Sequence, residues 1–115
     1  MKFAGIEGKV IEQSQHGNYV VLQLSERISI TGTFSNIWNW QEIPDEDSGF
    51  ISFITYIGLN SISEAEDYQE WITDNEGYFK SDEEQPRPSK RTSLPFEIKV
   101  RGLSPIKIVE LLQKP

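Results

Sequence analysis

From Phe50 to Leu59 the chain reads FISFITYIGL, its most apolar window. In an extended strand Ile51, Phe53, Ile57 and Leu59 fall on one face and Phe50, Ile54 and Tyr56 on the other. Both faces therefore need cover. The run is far short of the roughly 20 apolar residues that span a membrane as a helix, and its β-branched and aromatic content favours a strand. Exposed at a sheet edge it would invite aggregation, so the pattern predicts a central strand flanked by others and capped by helix.

Upstream, Ala4, Ile6, Gly8 and Val10 alternate with Gly5, Glu7 and Lys9, predicting a strand with one core face, bent or bulged at its glycines. His16-Gly17-Asn18 supplies turn chemistry before YVVLQL, Tyr19 to Leu24, with Val20, Leu22 and Leu24 facing inward. Ser25-Glu26 is a second short connection. Ile28, Ile30 and Phe34 then alternate with Arg27, Ser29, Thr31 and Thr33 as a one-sided strand. Together these segments predict an antiparallel meander.

Downstream, Ser61 and Ser63 each precede a glutamate by three residues, Glu64 and Glu66, so either can open a helix with a capping box. Ala65, Tyr68, Trp71 and Ile72 share one face of that helix, with Glu64, Glu66, Asp67, Glu70 and Asp74 lying mainly elsewhere. Periodicity is lost from 75 to 93, where a mobile charged loop is expected. Order returns as Leu94, Phe96, Ile98 and Val100 alternate with Pro95, Glu97, Lys99 and Arg101, a strand closed by Gly102. Ser104-Pro105 starts a second helix whose apolar side holds Ile108, Val109, Leu111 and Leu112.

These elements make one domain, 1–115, of α+β class: an antiparallel sheet of about five strands, the N-terminal meander plus the central strand, with two helices packed on it. A small, partly open β-barrel of the OB or SH3 kind with added helices is the alternative. The 115 residues suffice for one core without staples. The sequence has no cysteine, which excludes disulfides and thiolate chemistry and suits a reducing compartment. MKFAGIEGKV lacks the apolar run of a signal peptide or anchor, so cytoplasm is the expected location and no membrane association is expected.

Net charge is −7, distributed unevenly. From Glu42 to Glu84 thirteen acidic residues face Lys80 alone, net −12, whereas Gln85 to Pro115 carries net +5. Trp38 and Trp40 stand beside the first acidic group, Glu42, Asp45, Glu46 and Asp47. An aromatic pair among carboxylates suits a basic or arginine-rich partner through cation–π and ionic contacts. Roofing one end of the core is the simpler use of the two rings.

Catalytic chemistry is sparse. His16, the single histidine, sits in a turn; no phosphate loop of standard spacing occurs; DEDSG at Asp45 to Gly49 and DNEG at Asp74 to Gly77 lack the spaced ligands of a calcium loop. No enzyme activity, metal or cofactor is expected. The reading is a small acidic binding or regulatory protein, an inhibitor, immunity factor or adaptor. It would recognise a basic protein partner through Glu64, Glu66, Asp67 and Glu70, with Trp38, Trp40, Glu42, Asp45, Glu46 and Asp47. The alternative is association with nucleic acid, which the net charge disfavours. Single strands would bind on a basic cluster of Arg87, Lys90, Arg91, Lys99 and Arg101, or the acidic face would imitate a phosphate backbone.

Overall fold

The computed structural model describes residues 2–3, 5–16, 19–32, 53–74, 79–81, 86–102 and 105–113. Trp38, Trp40, Glu42, Asp45, Glu46 and Asp47 lie outside these residues.

The central strand is where the apolar pattern puts it. It runs Phe53–Leu59 (β6), with strand Ile28–Gly32 (β5) on one side and strand Phe96–Gly102 (β9) on the other, both antiparallel. Beyond β5 lie Val20–Gln23 (β4) and Lys9–Gln13 (β3), so the meander is present. Helices Ile62–Asp74 (α1) and Pro105–Gln113 (α2) both pack on one face, where Ala65, Ile72 and Ile108 meet Ile57, Leu59, Ile98 and Val100. The class is α+β, and the sheet is open: β3 ends it on one side and Phe79–Ser81 (β7) on the other. The barrel alternative is thereby overturned.

The meander begins later than the alternation suggests. Gly5 adopts φ +79°, a left-handed conformation that a side chain disfavours, and folds Lys2–Phe3 (β1) back on Ile6–Glu7 (β2) as a separate two-stranded ribbon. The turn carries Phe3 into the core, fully buried with Val20, Leu22, Ile30, Phe53 and Val109, its ring 6.5 Å from that of Phe53. Val10, expected inside, is instead 37% exposed on β3, whose register slips between Val10 and Glu12.

The 75–93 stretch, aperiodic in sequence, contributes strands. β7 pairs with β9 at its Val100–Gly102 end, and Arg87–Pro88 (β8) pairs with it at Phe96–Glu97. Because β6 occupies the whole of one edge of β9, β7 and β8 must share the other, as one interrupted edge strand. Pro88, which cannot donate a ladder hydrogen bond, is tolerated there. Elements of two or three residues are too short to show a period.

After β8 the chain crosses the sheet face opposite the helices. Hydroxyls build this crossing: the Ser89 Oγ accepts from the Thr92 amide at 3.1 Å, the Thr92 Oγ1 lies 2.7 Å from it, and Ser89 N donates to Pro95 O at 3.1 Å. Gly58 permits the close approach, since a Cβ there would stand 2.8 Å from Thr92 Oγ1 and 3.0 Å from Leu94 Cδ1. The requirement that both faces of β6 be covered is thus met by helices on one side and by residues 86–95 on the other.

Candidate functional site

α1 presents the carboxylates. Ser61 caps it, its Oγ accepting from the Glu64 amide at 3.3 Å, while Glu64 Oε2 reaches back to the Asn60 amide at 2.7 Å. This is a capping box displaced one residue outward. The other oxygen of Glu64 bonds the Arg27 guanidinium. Arg27 also donates from Nε to Gly58 O at 3.4 Å and lies over the Tyr68 ring, 5.2 Å from its centroid. Burial pushes the Tyr68 phenol above the ordinary value of 10.0, and the neighbouring Arg27 cation pulls the other way; the ring therefore stays neutral beside the ion pair at physiological pH.

Glu64, expected in a partner-binding set, is accordingly committed to the cap and to Arg27. Glu66, Asp67 and Glu70 are different: all three are exposed, as is Asp74, and α1 contains no basic residue. Among the described residues no hydrogen bond or ion pair engages the side chains of these four. The helix that carries them is anchored from beneath by Ala65 and Ile72.

Two members of the basic cluster, Arg87 and Arg91, engage a buried carboxylate. Glu97, which alternation assigns to a polar outer face, is fully buried under residues 86–95. A buried carboxylate is tolerable only with its oxygens occupied, and both are: Oε1 accepts from the Lys90 amide at 2.6 Å, and Oε2 meets Arg91 Nη1 at 3.2 Å and Arg87 Nη2 at 3.5 Å. Arg91 stacks on Tyr56, 4.0 Å from the ring centroid, and Arg87 lies at 5.2 Å from the same ring. Arg91 Nε also stands 4.0 Å from Glu12 Oε2, and Glu12 Oε1 accepts from the Tyr19 hydroxyl at 3.2 Å. That bond, together with the Glu12 charge, holds the Tyr19 phenol above its ordinary value. Ser29, wholly buried rather than facing water from a one-sided strand, donates to Arg91 O at 3.0 Å.

Lys90 keeps an exposed side chain, and Lys99 and Arg101 are half-buried on the same strand face as Glu97. The Glu97 carboxylate is sealed from solvent, and its contacts with Arg87, Arg91 and the Lys90 amide hold residues 86–95 down on the sheet. His16 is exposed in its turn, and among the described residues no group of histidine and carboxylate side chains could hold a metal ion. No described helix is long and apolar enough to cross a membrane.

Sequence reasoning missed Arg27, Tyr56 and Glu97. The one available signal was Tyr56, an aromatic on the second face of a strand already judged to need cover on both. No protein-family model, curated protein or solved structure matches this chain.

Proposed function

We propose that this chain is a small non-catalytic binding or regulatory protein, an inhibitor, immunity factor or adaptor, that takes a basic protein partner on the outer face of α1. The observation that carries this reading is the exposure of Glu66, Asp67, Glu70 and Asp74 on a helix devoid of basic residues and held in place by other side chains. Carboxylates on a rigid support favour encounter with a cationic surface without reorganisation on binding. Trp38, Trp40 and the acids from Glu42 to Asp47 belong to the same proposal from sequence alone, as does a cytoplasmic setting. The nucleic-acid alternative draws no support from the basic cluster, since Arg87 and Arg91 are spent on Glu97 and Tyr56.

The test is retention of a basic partner from the native source on the immobilised chain, with elution as salt rises through the range in which the screening length falls below about 10 Å. The triple variant Glu66→Lys, Asp67→Lys, Glu70→Lys should lose retention while its thermal unfolding stays close to that of the parent. Glu64 is deliberately spared, because its reversal would disturb the cap. Undiminished recovery by the triple variant would defeat the proposal.

A further inference from the structure

The Tyr56 ring and the Glu97 carboxylate together hold the guanidinium of Arg91, which lies 4.0 Å from the ring centroid while its Nη1 meets Glu97 Oε2 at 3.2 Å. A carboxylate beside an aromatic face offers a planar guanidinium an ionic hydrogen bond and a stacking surface at once, a combination that a lysine ammonium matches poorly. Both walls belong to the sheet. The register sets Gly58 opposite Glu97, so Tyr56 is the diagonal neighbour of Glu97 on the same face, and the two residues are 7% and 0% exposed. The occupant, by contrast, belongs to the crossing that covers them. None of residues 86–95 is buried, and none belongs to either apolar core cluster, so their departure would leave the core closed. Arg91 is also an imperfect occupant: its Nε finds no hydrogen-bond partner among the described residues, and Glu97 Oε1 is taken by the Lys90 amide.

We propose that Tyr56 and Glu97 form an arginine-recognition subsite that Arg91 fills in cis, and that an arginine of a protein partner takes its place when residues 86–95 lift from the sheet. Lifting withdraws the Lys90 amide along with Arg91, which opens both oxygens of Glu97 to a two-pronged pair with the incoming guanidinium. The exchange replaces one guanidinium by another, so the carboxylate is paired in either state, as a buried charge requires. Residues 86–95 are then an autoinhibitory cover, because the tethered arginine lowers the apparent affinity of any arginine that competes with it. The subsite lies on the sheet face opposite α1 and does not depend on the acidic-face reading.

The test uses the full chain labelled with ¹⁵N, as the parent and as Arg91→Ala, titrated with a capped tripeptide of arginine between two glycines and with its lysine counterpart. Removing the tethered competitor, whose effective concentration is of millimolar order, should make the arginine peptide bind at least about tenfold tighter to the variant than to the parent. The amides of Tyr56 and Glu97 should shift as it binds, and the lysine peptide should bind more weakly. Arg91→Gln serves if the alanine variant does not fold. An arginine peptide that fails to bind the variant, or binds parent and variant alike, would overturn the proposal, as would shifts confined to residues away from Tyr56 and Glu97. Equal binding of the lysine peptide would overturn the recognition of arginine. Each of these failures leaves the acidic face of α1 standing, since the peptides carry one cation and probe the other side of the sheet.

Discussion

The Arg27 guanidinium bonds the Glu64 carboxylate, tying the residue before β5 to the first turn of α1 across 37 positions of sequence. With side chains 40% and 22% exposed, the ion pair itself contributes only about 0.2–1 kcal/mol. Its larger effect is geometric. It holds the carboxylate that completes the cap, and so fixes how α1 enters the domain.

Glu64→Ala should therefore destabilise the chain by about 1–2 kcal/mol, the exposed pair plus a capping contribution of about 1 kcal/mol. Glu66→Ala, on the open face of the same helix, should change stability by no more than about 0.5 kcal/mol. Urea unfolding of the two variants measures the contrast; equal effects would mean that Glu64 is one more solvated acid.

At the opposite face of the sheet the stakes are higher, because Glu97 is fully buried, although the side chains of Arg87 and Arg91 that hold it are 38% and 21% exposed. Removing one member of a fully buried pair costs about 3–5 kcal/mol, and the water that reaches the two arginines puts the cost here near the lower end. Glu97→Ala should lose that much, and trypsin should then cut after Lys90 and Arg91 faster than in the parent chain. Glu97→Gln should lose less, since its amide oxygen still accepts from the Lys90 amide. Unaltered cleavage kinetics in the alanine variant would refute the idea that Glu97 fastens residues 86–95.

Thr55 supplies a prediction of opposite sign. It is buried among the helix-facing side chains of β6, and its hydroxyl has no hydrogen-bond partner among the described residues. Burying an unpaired hydroxyl costs about 1–3 kcal/mol, whereas valine has nearly the same shape and nothing to satisfy. Thr55→Val should raise stability by about 1 kcal/mol in the same urea assay. A loss of stability would reveal a partner for the hydroxyl.

Where apolar alternation is continuous, the architecture was legible. Phe96, Ile98 and Val100 repeat with the strand period, Phe53 to Leu59 is apolar on both faces, and Ala65, Tyr68 and Ile72 repeat with the helix period. Each element is long enough for burial to select one period over the other. Legibility failed where a single residue controlled the path. Gly5 turned a seemingly continuous strand into a ribbon and exchanged Val10 for Phe3 in the core. It failed again at β7 and β8, whose pairing depends on the edge of β9 rather than on any pattern of their own.

The candidate site divides along the same line. That Glu66, Asp67 and Glu70 face away from the core follows from where Ala65 and Ile72 must point, so the sequence determined it. Whether a given charge is available was decided only in three dimensions. Glu64 and Glu97 look like other surface acids along the chain, yet one is bound to Arg27 and the other sealed beneath Arg87 and Arg91. Periodicity reports burial against the nearest neighbours in the same element. Ion pairs join residues that only the completed fold brings within reach, and they remove from the surface charges that composition alone would assign to a partner.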